Sequence, residues 1–487
     1  MGNFKILVRK TFTNPAILYV ISRYGTYFIQ FVNSLFIAIY LGPYYLGIWG
    51  FINLVLGYLA QINLGIPHSI NVIVSVNKEK EDYVQKVIGN GLSMIVGLSI
   101  AIIFFFVMNY VCGFNIGEKY NFNTYIIPVC IIAVLTHFNG FFSNIFRIYG
   151  KVAAIAINQS LYPIIVLLAI PFFRGTELLW AMVIANCLSV TISLALFLVQ
   201  SPTKLKLLFD FSLIKYIQIR GWHLFIYNAS FYLILLSTKS LISSNYSIEE
   251  FGYFTFSYSL ANTILLLLNS ISYLIFPKML NRFAKADNNH VQSILGIVRN
   301  AYISLSHLLI HFVIMMFPAL LLFFPDYQQA STVFKVTALT VVLYTNSFGY
   351  QGLLMARGKE KLIAIIAFSA LMLNIILSIF FVFFLKVEFS EVLFATLITY
   401  LIYVLTLGLF GRKELLVSAS VLAVLKDVFP IRMFFPFVLS ILFIVFEVQN
   451  IYFSISFIIY LFLNFKDLIK IKDLGIRLVN NQNFINI

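Results

Sequence analysis

Long apolar stretches separated by short polar gaps run through almost the whole chain. A helix needs about 20 apolar residues to cross a hydrocarbon layer of about 30 Å. The stretches are continuous rather than alternating, which favours helices over the strands of a membrane barrel. The pattern predicts an all-α polytopic membrane protein with about 14 transmembrane helices, near residues 15–41, 45–76, 87–111, 124–148, 151–173, 178–199, 221–245, 251–277, 293–324, 330–356, 359–385, 388–411, 431–447 and 451–465.

The distribution of basic residues supports this assignment and orients the chain. With the N-terminus in the cytoplasm, the loops on that side contain 27 of the 33 Lys and Arg residues. The outer loops contain four, namely Lys119, Arg174, Lys335 and Lys386. Because basic residues collect on the cytoplasmic side of membrane proteins, we predict a multi-pass protein with both termini in the cytoplasm.

The chain also contains a weak internal repeat, in which four short similarities recur in order. The paired segments begin at Leu46 and Phe251, Pro67 and Pro277, Val84 and Val291, and Gly150 and Gly358. The repeated unit would contain six helices, an even number, so both copies would enter the membrane from the same side. This predicts two six-helix bundles related by a parallel repeat around a central cleft, followed by two C-terminal helices.

The repeat also predicts the domain boundaries. They are 1–200 for the first bundle, 201–220 for a cytoplasmic linker, 221–412 for the second bundle, 413–465 for helices 13 and 14, and 466–487 for a cytoplasmic tail. The linker and the tail mix lysines with apolar residues. Each is interpreted either as an amphipathic helix on the inner leaflet or as a plain connector.

Composition narrows the function. Hydrophobic residues make up 61% of the chain and charged residues 10%, far from the values of soluble domains. The net charge of +15 lies in the short loops, where it sets topology, so nucleic-acid binding is not expected. The three cysteines have no metal-ligand spacing. No cofactor is predicted.

Two cations, Arg23 and Lys239, fall deep inside the predicted helices, and no carboxylate accompanies them there. A charge at the centre of a membrane helix costs roughly 2.5–3.5 kcal/mol and is usually retained where it faces a polar cavity. Unpaired cations in such a cavity indicate an anionic cargo. The alternative is that each side chain extends to its nearer membrane surface.

Polar residues at helical spacing mark faces that avoid lipid. Such stripes occur in helices 1 and 2 and again in their repeat counterparts, helices 7 and 8. We predict that they line the substrate cavity with Arg23, Tyr27, Gln30, Asn53, Gln61, His68, Asn228, Tyr232, Lys239, Asn262 and Asn269. The alternative is that the stripes are hydrogen bonds between helices that hold each bundle together.

Helix 9 has its own polar stripe, which includes His307 and His311. Their spacing is that of a zinc-binding pair, but no third ligand accompanies them. We interpret the stripe mainly as a hydrogen-bonded seam, with proton sensing as the alternative.

One local motif suggests a family. Tyr40-Leu41-Gly42-Pro43, followed by Leu46-Gly47-Ile48-Trp49, resembles the polysaccharide-export flippases, as does the arrangement of six, six and two helices. These are the Wzx-type O-antigen and capsular repeat-unit translocases of the multidrug/oligosaccharidyl-lipid/polysaccharide superfamily. The resemblance covers essentially the whole chain.

The resemblance implies a transporter rather than an enzyme. The cargo would be an undecaprenyl-pyrophosphate-linked oligosaccharide, moved by alternating access from the inner to the outer leaflet of a bacterial inner membrane. Arg23 and Lys239 would contact the pyrophosphate, and helices 13 and 14 would flank the polyprenyl tail. The expected partners are this lipid-linked oligosaccharide, membrane lipids and the polysaccharide polymerase machinery.

Two other functions remain open. A cation-coupled multidrug exporter of the same superfamily generally uses acidic residues within the membrane, and none lies deep inside the predicted helices. A membrane glycosyltransferase or polymerase needs sizeable outer loops, whereas the outer loops here are short.

Overall fold

The computed structural model describes residues 15–77 and 79–480, with side chains from residue 22 to residue 471 except at positions 78, 264, 265, 267–278 and 281. This part of the chain contains helices and no strand. The helices of its first half are α1 (Pro15–Gln61), α2 (Ile66–Val76), α3 (Glu81–Cys112), α4 (Ile126–Ile148), α5 (Val152–Ala169), α6 (Gly175–Val199) and α7 (Phe211–Asn245). Those of its second half are α8 (Ile248–Lys285), α9 (Asn288–Leu321), α10 (Ala330–Leu343), α11 (Tyr350–Ala356), α12 (Glu360–Ile379), α13 (Leu393–Glu414), α14 (Val421–Val428), α15 (Ile431–Val445) and α16 (Phe453–Asn480).

The all-helical membrane architecture is confirmed. Ten helices of the described residues are long and apolar enough to cross a membrane, or 11 if the bent pair α14 and α15 forms one span. Each of the fourteen predicted stretches coincides with a helix or with a broken helix. The count of fourteen stays a prediction, because breaks divide some stretches and a kinked helix joins two others.

The kink lies in α1 at Gly42, where φ is 68° and ψ is 169°. Glycine adopts this conformation without steric strain, and Pro43 cannot donate a backbone hydrogen bond back into the preceding turn. The first two predicted helices therefore meet at a sharp turn without a separate loop.

The chain packs as two compact units. The first runs to Leu236 and includes Ser247–Gly252, and the second comprises Ser237–Tyr246 and the chain from Tyr253 onward. This boundary falls within α7 and α8, not in the predicted linker. The predicted division into two repeated bundles is thus not tested, and it stays a prediction.

The linker is docked on the first unit. Residues 201–210 are not helical, and α7 begins within the predicted linker at Phe211. The Ser93 hydroxyl donates to the Leu208 carbonyl over 2.6 Å, and the Asp210 amide donates to Asn90 Oδ1 over 2.6 Å. These bonds tie the segment to α3, so it does not form a separate amphipathic helix.

In the second unit, the last two predicted helices are attached to α9 by polar contacts as well as apolar ones. The Tyr460 hydroxyl of α16 donates to the Ser304 carbonyl of α9 over 2.5 Å. Ser440 of α15 and Ser456 of α16 are hydrogen bonded over 2.7 Å. Helix α16 continues to Asn480, so the first part of the predicted tail is helical.

Candidate substrate-binding pocket

Three of the eleven predicted cavity residues meet in one pocket of the first unit. Gln61, His68 and Asn228 line this pocket, whose volume is about 290 Å³. They come from the end of α1, from α2 and from α7. In the predicted orientation the pocket lies in the cytoplasmic half of the membrane, because α2 ends at a cytoplasmic loop.

A break between α1 and α2 lets residues on both of its sides line the same pocket. The Asn63 side chain accepts from the Gly65 amide over 3.0 Å and donates to the Ala60 carbonyl over 3.1 Å. The Gln218 side chain donates to the Leu64 carbonyl over 3.0 Å. These bonds satisfy backbone groups that the break frees, as a break within a membrane requires.

A close approach of two backbones brings α7 to the pocket. Gly65 has a φ of +73°, and a Cβ built there would lie 2.9 Å from the Gly221 carbonyl oxygen. Only glycine fits both conditions without strain. The contact holds α7 against the break, so that Phe225 and Asn228 complete the pocket wall.

The pocket offers several polar side chains that form no hydrogen bond within the described part of the chain. Gln61, His68, Thr136 and Asn228 have no side-chain hydrogen-bond partner among the described residues. Unsatisfied polar groups are costly when they are removed from water. Amides, an imidazole and a hydroxyl in one small pocket are suited to a ligand that is rich in hydroxyl groups.

A cation lies beside the pocket, on its cytoplasmic side in the predicted orientation. Asn144 lines the pocket, and its Oδ1 accepts from Arg147 Nη2 over 2.7 Å. Arg147 is exposed at the end of α4 and forms no ion pair within the described residues. Its guanidinium is free to contact an anionic group next to the pocket.

Arg23 is held by neutral partners. Its guanidinium donates to the Gln159 side chain of α5 and to the Tyr27 hydroxyl, the latter over 2.5 Å. None of the four ion pairs of the described residues includes it. Arg23 is half-buried, so its charge is neither neutralised by a carboxylate nor fully solvated.

Lys239 belongs to the second unit and also has aromatic neighbours. Its Nζ lies 3.5 Å from the centroid of the Tyr258 ring and 5.8 Å from that of Phe254. Cation–π contacts of this kind stabilise a charge without neutralising it. Within the described residues Lys239 forms no ion pair.

The other predicted cavity residues are not in this pocket. Asn53 is exposed, and its side chain donates to the Trp49 carbonyl one turn earlier over 2.8 Å. Tyr232 is 58% exposed, and Gln30 and Asn262 are half-buried. Asn269 lies outside the described side chains. The roles of these five residues stay predictions.

Two further cations, Lys335 and Arg299, are buried near the starts of their predicted helices, although each is counted above with the basic residues of the adjoining loop. Lys335 is buried in α10 and donates to Asn450 Oδ1 over 2.5 Å. Arg299 is buried in α9, 3% exposed, and pairs with Asp427 over 2.9 Å. Both cations are therefore buried within the protein. The prediction that only Arg23 and Lys239 lie deep within the membrane stays a prediction.

The Arg299 site depends on a break in the tenth predicted helix. Gly349, with a φ of +89°, ends the short turn between α10 and α11, and a Cβ there would lie 3.3 Å from Arg299 Cγ. The break frees the Asn346 carbonyl, which accepts from Arg299 Nη2 over 2.9 Å. Asp427 also pairs with Arg412 over 3.3 Å and accepts from the Tyr350 hydroxyl.

The histidine stripe of α9 contacts Asn346, the residue whose carbonyl also accepts from Arg299. His307 Nε2 is 3.0 Å from Asn346 Oδ1, and the ring of His311 stacks on Tyr460. No cluster of three potential metal ligands occurs among the described residues. These contacts agree with the interpretation of the stripe as a hydrogen-bonded seam.

One signal could have extended the sequence prediction of the pocket. Thr136, His137, Gly140 and Asn144 recur at helical spacing in the fourth predicted helix, and all of them line the pocket. The same stripe criterion that selected helices 1, 2, 7 and 8 would have included them. Arg147 follows one turn later, but its position at the end of a predicted helix is typical of the basic residues of cytoplasmic loops.

Solved structures of membrane transporters share this fold. The lipid II flippase MurJ, in an inward closed conformation, aligns with a TM-score of 0.71 and 17% identity over 94% of this chain and 99% of that chain. A multidrug resistance MATE family transporter of the MOP superfamily, in an inward-facing conformation, gives a TM-score of 0.66 and 12% identity over 84% of this chain and 99% of that chain. MATE in a bent conformation aligns with a TM-score of 0.59 and 12% identity over 87% of this chain and 96% of that chain. The protein thus shares the fold of these transporters.

The family follows from the sequence. A family profile described as "Polysaccharide biosynthesis protein" matches residues 12–281, which is more than half of the chain. The chain therefore belongs to the polysaccharide biosynthesis protein family. No curated protein sequence matches it.

Proposed function

We propose that this protein flips an oligosaccharide linked to undecaprenyl pyrophosphate from the cytoplasmic to the outer leaflet of a bacterial inner membrane by alternating access. Its family and its transporter fold support movement of a polysaccharide precursor across a membrane. The observation that carries the proposal is the pocket of the first unit. It combines unused hydrogen-bonding groups with an exposed cation, Arg147, beside them.

The sugar and the pyrophosphate of the proposed cargo would be bound by different side chains, polar ones for the sugar and basic ones for the pyrophosphate. Sugar hydroxyls would exchange hydrogen bonds with Gln61, Asn228 and the other polar side chains of the pocket. The pyrophosphate needs cations that are not already neutralised, and we assign this role to Arg23 and Lys239. Arginine binds phosphate oxygens with a planar fork, whereas lysine acts as a mobile point charge.

The proposal extends to the surroundings of the protein. Both termini are assigned to the cytoplasm, where the loops contain most of the basic residues. The polyprenyl tail would remain among membrane lipids while its head group crosses. We also propose an association with the polysaccharide polymerase that would use the flipped unit.

Deleting the gene from its host tests the function directly. We expect loss of surface glycan and accumulation of the lipid-linked oligosaccharide on the cytoplasmic side. The location can be measured by comparing the access of a membrane-impermeant glycosidase to right-side-out and inverted vesicles. Wild-type protein and Arg23→Lys should restore export, and Arg23→Ala should not, because only the first two keep the cation.

The same strains separate this function from its alternatives. Normal surface glycan in the deletion strain, together with greater sensitivity to cationic drugs, would establish a drug exporter instead. Loss of the lipid-linked oligosaccharide itself, rather than its accumulation inside, would establish an enzyme of assembly. Equal amounts of Arg23→Ala and wild-type protein in the membrane are required as the expression control.

The pocket gives a second prediction. Asn228→Leu removes an unused amide while keeping a similar side-chain volume, and we expect about a tenfold lower export rate, the effect of one lost hydrogen bond worth about 1.4 kcal/mol. Asn245→Leu is the matched control, since Asn245 is on the same helix but is exposed and bonds to its own Leu241 carbonyl. Equal export by the two variants would exclude Asn228 from the binding site.

A further inference from the structure

A second polar groove lies in the other unit, between α9 and α16. Its volume is about 550 Å³. One wall is a stripe along α9, formed by Asn289, Gln292, Ser293 and Asn300. These residues have helical spacings of three, four and seven, so they share one face. Gly296 lies in the middle of the stripe and leaves open space in front of it.

The polar side chains of the stripe are available to a ligand. None of its four polar residues has a hydrogen-bond partner among the described residues. Each is exposed in the protein. In the predicted orientation this part of α9 adjoins the cytoplasmic loop before Asn288, at the depth of the lipid head groups. A lipid bound there would place its head group in the groove and its acyl chains toward the membrane interior.

The opposite wall of the groove, formed by α16, contains charged residues that would select the charge of a ligand. Asp467 and Lys470 of α16 line the groove. The Asp467 carboxylate is paired with Arg432 over 2.7 Å, so these two charges balance. Lys470 is exposed and forms no ion pair within the described residues. Among the described residues, the groove therefore has one positive charge without a carboxylate partner.

We propose that this groove binds the head group of an anionic glycerophospholipid from the cytoplasmic leaflet. Its single phosphate diester would contact Lys470, and the head-group hydroxyls would bond to the amides and hydroxyl of the α9 stripe. The acyl chains would continue along the exposed side chains of Ile297 and Ile469, which are 54% and 45% exposed. The site is separate from the pocket of the first unit and does not depend on the proposed cargo.

Titration of the purified full-length protein in a neutral detergent tests this site. Short-chain phosphatidylglycerol is the probe, and the shift of the thermal unfolding midpoint reports binding. We expect saturable stabilisation by phosphatidylglycerol and much less by phosphatidylcholine. Lys470→Gln should weaken the apparent affinity about fivefold, as expected for one lysine near an anionic lipid. Gln292→Leu should weaken it while leaving the charge unchanged.

The control variant is Lys466→Gln. Lys466 is also exposed, is on the same helix one turn earlier, and does not line the groove. If Lys466→Gln weakens binding as much as Lys470→Gln, the lipid responds only to overall charge and the site is refuted. Equal stabilisation by phosphatidylcholine would also refute it. Glycerol 3-phosphate binding as tightly as the lipid would show a soluble phosphate site instead.

Discussion

Replacing Asp427 by alanine should destabilise the folded protein by about 3–5 kcal/mol, because it leaves the buried Arg299 without its carboxylate. The guanidinium is 3% exposed and cannot turn to water. Asp427 itself is 31% exposed, which places the expected value near the lower end of the range. The change also removes the acceptor of the Tyr350 hydroxyl. Thermal unfolding in detergent should show a clearly lower midpoint.

An exposed ion pair in the same unit provides the comparison. Lys359 and Glu414 are 3.9 Å apart and are 49% and 26% exposed. Glu414→Ala should change stability by no more than about 1 kcal/mol, as is usual for surface pairs. Equal effects of the Asp427 and Glu414 variants would show that the Arg299 site does not stabilise the fold. Asp427→Asn should be milder than Asp427→Ala, since it keeps one acceptor oxygen.

Replacing Gly252 by alanine is the second change with a large expected effect. A Cβ at this position would overlap the carbonyl oxygen of Pro43, next to the sharp turn at Gly42. Because the Pro43 carbonyl belongs to the backbone, no side-chain rotation can relieve this overlap. We expect destabilisation of at least about 1–3 kcal/mol, the usual effect of overpacking. The yield of monodisperse protein and its unfolding midpoint should both fall.

Gly97→Ala is the matched control. Gly97 lies inside α3, is exposed, and has no atom within 4 Å of a built Cβ. The change should be neutral or slightly stabilising, because alanine favours a helix over glycine by about 1 kcal/mol. A Gly252→Ala variant as stable as Gly97→Ala would show that α1 and α8 can separate there without cost.

Much of the architecture could be predicted from the sequence, because crossing a membrane imposes a local requirement. Each apolar stretch must form a helix on its own, since lipid offers no other partner for its backbone. The fourteen stretches therefore coincide with helices or broken helices. The apolar pattern did not show that Gly65 and Gly349 adopt a positive φ, or that Gly221 and Arg299 approach them closely, because these contacts come from distant segments.

The candidate site was predicted only in part. Helical stripes identified Gln61, His68 and Asn228, which lie together in the pocket. The same reasoning also selected Asn53, which bonds to its own helix and is exposed. A stripe shows that a face is polar, but it does not show whether its partner is the helix itself, another helix or a ligand.

What the sequence alone determined is the membrane class, the positions of the helices and the family resemblance, because hydrophobic length and short motifs are properties of contiguous residues. Only the tertiary structure decided which polar residues share a pocket and which charges are paired. Arg299 and Asp427 are 128 residues apart, and nothing in the pattern around either residue marks the other. Their pairing depends on the approach of α9, the broken helix and α14, which is fixed by packing between distant segments and not by hydrophobicity along the chain.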